Sequence, residues 1–140
     1  MCLTKKARFR VKSDDEGYIG WKIFIVDGDD LVPAYQRAPV FEPGKWVFDN
    51  ADYPLAYANS CGKGEESFRP YPSGFHCFVS KGRAEYTAKR LRCLPNSRPK
   101  DMLVKEVRAK EIVAKGRQGG YRVFVTKELK VIDTQNTYDV

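Results

Sequence analysis

Tyr71-Pro72-Ser73-Gly74-Phe75-His76-Cys77-Phe78 packs a turn, a short aromatic strand and the only histidine of the 140-residue chain into eight residues. Pro72-Ser73-Gly74 carries the turn signal. Alternation from Phe75 to Val79 places Phe75, Cys77 and Val79 on one face and His76 and Phe78 on the other. His76 and Cys77 therefore point apart, which argues against a cysteine-histidine nucleophile pair within this strand, and the chain has no second histidine. Ser80 is placed to cap a helix whose apolar positions Ala84, Ala88 and Leu91 recur at helical spacing. Lys81, Arg83, Lys89, Arg90 and Arg92 surround that stripe, and Pro95 stops the helix.

Upstream, Lys6 to Lys12 alternate basic and apolar, as in a half-buried strand with Ala7, Phe9 and Val11 facing the core. The acidic turn Ser13-Asp14-Asp15-Glu16-Gly17 leads into a near-continuous apolar run, Tyr18 to Val26, that suits a central strand buried on both faces. Asp27-Gly28-Asp29-Asp30 is a reverse-turn signal whose carboxylates lack the alternating spacing and distal glutamate of a calcium loop. From Leu31 to Pro72 six prolines break any long element, leaving short strands at Val40 to Phe41 and Lys45 to Phe48 in an otherwise irregular section. A section of that length suits a binding or lid segment, with Tyr35, Arg37, Trp46, Tyr53, Tyr57 and Arg69 as stacking and anion-contacting candidates. Trp46 equally suits a plug over the open side of a sheet.

Downstream, Asn96 to Asp101 is a polar turn and Met102 to Ala109 a strand. Ile112 to Ala114 and Tyr121 to Thr126 read as hairpin arms joined by Lys115-Gly116-Arg117-Gln118-Gly119-Gly120. That connection, flanked by Arg122, is either a plain hairpin loop or a run of backbone amides able to cradle a phosphate. Leu129 to Asp133 reads as a closing strand, and 134–140 as a frayed tail. The expected fold is α+β: a single compact domain over residues 1–140, with a mostly antiparallel sheet, one main helix and a long irregular loop section.

Hydrophobic residues make up 42% of the chain and aromatics 13%, enough for a packed core in spite of 31% charged residues. No apolar run reaches the ~20 residues of a membrane helix, and Met1 to Lys12 lacks a signal-peptide hydrophobic region. The expected location is the cytoplasm. Cys2, Cys61, Cys77 and Cys93 form no closely spaced pair of the kind seen in zinc or redox motifs and read as reduced thiols. The net charge of +7 is uneven: residues 1–70 hold 10 Lys and Arg against 11 Asp and Glu, and residues 71–140 hold 15 against 7. Such an excess favours an anionic partner, a nucleotide, a nucleic acid or an acidic protein surface, or else forms a solvated basic face.

Two resemblances rest on Trp21 to Val26, Gly74-Phe75-His76-Cys77-Phe78 with its helix through Tyr86, Leu103 to Val107, and Tyr121-Arg122-Val123-Phe124-Val125 through Val131-Ile132. The chain resembles a group of small proteins encoded by bacteriophages and bacteria that share a Pro-Gly-Lys-Trp segment, here Pro43-Gly44-Lys45-Trp46, and a Gly-Phe-His-aromatic strand. More distantly it resembles the ADP-ribosyltransferase fold, a split sheet holding NAD in a cleft. Under that resemblance His76 takes the place of the nicotinamide-stacking tyrosine, and Trp21-Lys22 that of the early histidine or arginine. Gly120 stands where the catalytic glutamate before Tyr121 is expected, with Glu106 or Glu111 as candidate substitutes from a neighbouring strand. A site lacking that acid is suited to binding rather than to transfer chemistry.

The resemblances and the charge layout together imply a non-enzymatic, phage-type binding protein. It would sequester an anionic, nucleotide-type host signal or block a host defence protein, with no metal, no cofactor and no catalytic residues. The expected ligand-binding residues are His76, Trp21, Lys22, Tyr35, Arg37, Arg69, Tyr86, Arg117, Tyr121 and Arg122. An ADP-ribosyltransferase-like enzyme using NAD and a nucleic-acid-binding protein are the alternatives. No membrane partner is expected, and exposed aromatics on short strands are compatible with a homo-oligomer.

Overall fold

The computed structural model describes Leu3 and residues 5–27, 30–33, 40–49, 55–57, 70–72, 74–92, 102–118 and 120–132. Tyr35, Arg37, Tyr53, Arg69, Cys2, Cys61, Cys93, the turns at 28–29 and 96–101, Pro95 and the tail 134–140 lie outside the described residues, as does the side chain of Tyr57. Within them the protein is an α+β fold built on one large antiparallel sheet and a single helix. The strands are β1 (Lys5–Lys6), β2 (Ser13–Asp14), β3 (Gly17–Asp27), β4 (Asp30–Pro33), β5 (Trp46–Phe48), β6 (Leu55–Tyr57), β7 (Pro70–Pro72), β8 (Phe75–Phe78), β9 (Met102–Ala109), β10 (Ala114–Gln118), β11 (Tyr121–Thr126) and β12 (Glu128–Val131), with α1 spanning Lys81–Arg92.

The main sheet runs β1-β10-β11-β8-β3-β9-β12-β5, with β2 and β4 also pairing to β3. β3 is its axis. One edge of β3 follows β9 from Tyr18↔Ala109 to Ile25↔Met102. The other edge meets three partners in turn: β2 at Tyr18, β8 at Trp21↔Phe78, and β4 from Phe24↔Pro33. An uninterrupted apolar run is what a strand with neighbours on both edges and cores on both faces requires.

The two faces separate by the parity of β3. Ile23 and Ile25 pack with Phe78, Met102, Val123 and Val125 beneath Ala84 and Ala88 of α1. Ser80 starts that helix, its hydroxyl accepting from the Arg83 amide at 3.4 Å and its carbonyl from the Ala84 amide at 3.1 Å. On the opposite face Phe24, Phe75, Cys77, Leu103, Val107, Phe124 and Leu129 pack with Val11, Leu31 and Phe41. Phe41 meets Phe24 and Phe75 edge-on at 5.2 and 5.1 Å, contacts worth about 0.5–1.5 kcal/mol each beyond the area they bury. Phe124 lies over Gly20, where a Cβ would come within 2.6 Å of its ring, so that only glycine lets this aromatic core close on the central strand.

The segment read as a strand from Lys6 to Lys12 is strand only at its start, in β1, with further backbone hydrogen bonds from the Ala7 amide to the Lys115 carbonyl and from the Ile19 amide to the Lys12 carbonyl, yet its alternation survives: Val11 is buried, Phe9 packs on the core, and Arg8, Arg10 and Lys12 are exposed. Two corrections concern connections. Leu55–Tyr57 and Pro70–Pro72, read as loop, pair as a separate two-stranded ribbon. Such edges tolerate proline because a strand with one neighbour needs half the amide donors. The basic connection Lys115 to Gly120 is mostly strand, since β10 runs to Gln118 and pairs Ala114↔Val125 through Gln118↔Tyr121. Gly120, in the turn before β11, has φ +88°. A phosphate cradle of free amides over Lys115 to Gln118 is thereby replaced by ladder pairs.

Candidate cation-aromatic site at the α1–β11 junction

Helix spacing builds this site from one stripe of α1. Residues three and four apart share a helix face, so Arg83, Tyr86 and Arg90 form a row on the side turned from Ala84 and Ala88. β11 begins beside that row. Tyr121, directly before the outward-facing Arg122, stands on the helix side of the sheet and meets Tyr86 edge-on at 6.3 Å. The Arg83 guanidinium lies 4.9 Å from the Tyr121 ring and that of Arg90 lies 5.9 Å from Tyr86. A guanidinium thus flanks each end of a pair of rings, in the order Arg83, Tyr121, Tyr86, Arg90. One turn away, Lys81 Nζ sits 5.5 Å from the Trp21 ring.

Tyr86 is 50% exposed, unusual for an aromatic side chain that packing alone would place. Arg83, Lys89 and Arg90 are exposed around it, and the first turn of α1 contains no acidic residue. The helix N-terminus adds its partial positive charge in the same direction. At the end of β10, beside Tyr121, the Gln118 side-chain oxygen is closed to water and has no hydrogen-bond partner.

Of the residues expected to bind ligand, Trp21, Tyr86 and Tyr121 gather around α1. Arg117 and Arg122 stand opposite each other near the hairpin tip. His76 and Lys22 lie elsewhere, within the sheet. His76 faces the helix side opposite Val125, and burial first, then the Lys22 ammonium, push its pKa down to about 3. A histidine so depressed is neutral near pH 7 and offers an anion no charge. Lys22 is buried on the other face and donates to the His76 carbonyl at 2.8 Å, with burial holding its pKa below the usual lysine range. Cys77 is fully buried, and burial raises its thiol to about 12, the mark of an inert core cysteine.

Arg83 and Arg90 were legible in the sequence only as cations of a helix surface. Their membership in the site comes from two periods meeting, the seven-residue step from Arg83 to Arg90 and the parity of β11 that turns Tyr121 toward them. Trp46, on edge strand β5, lies between Lys110 and Lys130 at 4.9 and 5.1 Å, away from this site. Glu106 is bound to Arg108 at 2.7 Å, Glu111 is exposed, and Gly120 occupies the turn before Tyr121. Among the described residues no group of three or more metal-ligating side chains is found, and no helix is long and apolar enough to cross a membrane. Comparison with protein-family models, with curated proteins and with solved structures finds no match.

Proposed function

We propose that this protein is a non-enzymatic binding protein for an anionic ligand of nucleotide type, held at the α1–β11 junction. The pair of rings Tyr121 and Tyr86, flanked by the guanidinium groups of Arg83 and Arg90, is the observation that carries this reading. A nucleotide presents a flat π-face and a phosphate, and a pair of rings flanked by guanidinium groups offers a partner to each. Stacking on one ring is worth about 1–3 kcal/mol. Sequestration of a nucleotide-type signal by such a site would act through occupancy alone and would need no acid, base or nucleophile. The neutral His76, the inert Cys77 and the glycine at position 120 are consistent with that.

Titration calorimetry with nucleoside mono- and diphosphates tests the reading. Binding is expected to weaken about tenfold in Tyr86→Ala, whose half-exposed ring leaves the core intact, and to fall as salt rises. Nucleotide affinity unchanged in Tyr86→Ala and Arg83→Ala would remove the site from consideration. Transfer of label from NAD to a target protein would instead support the ADP-ribosyltransferase-like alternative.

A further inference from the structure

Trp21 and Lys81 stand outside the nucleotide site and repeat its chemistry. Lys81 Nζ lies 5.5 Å from the Trp21 ring, as the Arg83 guanidinium lies 4.9 Å from that of Tyr121. Both rings are partly buried on the helix side of the sheet. Lys81 and Arg83 are two residues apart in α1, about 200° around its axis, so the first turn sends one cation to each flank. Trp21, Phe78 and Val123 form one row across β3, β8 and β11, and α1 begins just past Phe78, in the middle strand of that row. Tyr121 lies two residues along β11 from Val123, which sets the backbone positions of the two rings about 12 Å apart.

Between the two cations the helix surface is bare. Gly82 stands two residues before the buried Ala84 and therefore on the outward side of the first turn. It is exposed, and a Cβ there would meet only the Ser80 hydroxyl oxygen, at 3.8 Å. Glycine weakens a helix, and what it offers in return is close approach of another molecule to the backbone. Among the described residues neither Lys81 nor Arg83 forms an ion pair, and Glu85 is the one carboxylate of α1. Glu106, opposite Trp21 on β9, is held by Arg108 at 2.7 Å.

We propose that the ligand carries two bases joined through riboses and phosphates and straddles the first turn of α1. One base lies on the Tyr121–Tyr86 pair, the other at Trp21, and the phosphates lie over Gly82 between Lys81 and Arg83. The proposal rests on the nucleotide reading of the α1–β11 junction and deepens it from a mononucleotide to a dinucleoside polyphosphate. Neighbouring bases stacked in a strand are about 3.4 Å apart, too close to serve both rings. A bridge of two or more phosphates lets the bases splay to opposite flanks while its charge stays beside the two cations. Linking the bases makes the second contact intramolecular, a gain that is greatest when the bridge matches the span.

Titration calorimetry of the full chain with ADP and with diadenosine di-, tri- and tetraphosphate tests this. At least one diadenosine compound is expected to bind about tenfold or more tighter than ADP, at one molecule per chain. Lys81→Ala and Trp21→Leu should bring that compound down to the affinity of ADP and leave ADP itself unchanged. Lys81 is exposed, so its variant decides the matter even where Trp21→Leu loosens the core. Gly82→Leu should produce the same selective loss with a urea midpoint no lower than that of the parent, since leucine is the better helix former. ADP bound as tightly as every diadenosine compound would overturn the two-base ligand and leave the nucleotide site standing. Absence of binding by all of them would overturn both readings. Equal losses for ADP and the diadenosine compound in Lys81→Ala, or two diadenosine molecules per chain, would also overturn the straddling ligand.

Discussion

At the β9–β12–β5 end of the sheet Arg108, Lys110 and Lys130 each reach a carboxylate, the two lysines while also flanking Trp46, whereas at the β1–β10–β11 end Arg83, Arg90 and Arg122 lie over tyrosine and phenylalanine rings. Arg108 joins Asp14 at 2.8 Å and Glu106 at 2.7 Å, Lys130 meets Glu16 at 2.8 Å, and Lys110 meets Glu128 at 3.2 Å. These contacts tie β2 and the turn that follows it to β9 and β12, and the charge is neutralised within the fold. At the other end the guanidinium groups keep their charge exposed, because an aromatic face attracts a cation without cancelling it. Cations of one residue class therefore serve cohesion at one end and leave a positive potential at the other. Ordinary counts of basic residues do not distinguish the two.

Substitutions can break or sharpen this contrast, beginning with a matched pair of glycines. Gly17 opens β3 at φ +141°, and a Cβ there would collide with the Ala109 carbonyl oxygen. Gly120 turns at φ +88° with open space around it. Gly17→Ala is expected to cost about 3 kcal/mol or more and Gly120→Ala about 1 kcal/mol, read from urea midpoints. Equal losses would mean that the two ends are not packed as differently as their glycines imply.

Arg108→Ala comes next, because it removes a side chain that is only 9% exposed and leaves the Asp14 and Glu106 carboxylates without it. A loss of about 2 kcal/mol in stability is expected, with nucleotide binding unchanged. A parallel loss of binding would erase the distinction between cohesive and recognition cations. The Arg108 guanidinium also holds the Asp14 carboxyl below its ordinary value of 3.8. That contribution is complete above pH 4 and disappears as the pH falls through the lowered native value, so Asp14→Asn should flatten the acid limb of the stability curve.

Between the two ends lies β8, where His76 stays neutral in the folded chain down to about pH 3 while its unfolded counterpart protonates near 6.5. The unfolded state therefore binds the extra proton first, and stability declines as the pH falls from 6.5 toward 3. Roughly 1–2 kcal/mol should be lost between pH 6.5 and 5, and His76→Phe should remove that slope in thermal melts across the range. A slope unchanged in the variant would place the titrating group elsewhere. The smallest expected change in stability, within about 0.5 kcal/mol, belongs to Tyr86→Ala, paired with the tenfold loss of nucleotide affinity given above. A large loss of stability in this variant would make the exposed ring a packing element.

Much of the fold was legible because its strands carry period-two or continuous apolar patterns and α1 carries a clean Ala84–Ala88–Leu91 stripe. Trp21 to Val26, Phe75 to Phe78 and Met102 to Ala109 all fall within strands that their local pattern specifies. Lys115 to Gln118 misleads because glycine and basic residues resemble a loop, while β11 and β1 supply pairing from either side that no local pattern reveals. Leu55–Tyr57 and Pro70–Pro72 hide for the same reason, each too short to be recognised without its partner. At the site, Tyr86 and Tyr121 could be singled out as aromatics near cations. Their edge-on contact could not, since 35 positions separate them and only the docking of α1 closes that gap.

The sequence by itself determined the alternation of Lys6 to Lys12 and of Phe75 to Val79, the buried face of the helix and the surplus of positive charge in the second half. These follow from side-chain period and composition, which act locally. Only the tertiary structure decided which cations meet carboxylates and which meet rings. Strand order brings Asp14 and Glu106 to Arg108, and it carries Phe9 to Arg122 and Tyr121 to Arg83. Electrostatic and aromatic contacts depend on distance in space, and in a sheet whose neighbours are far apart in sequence that distance is set by topology.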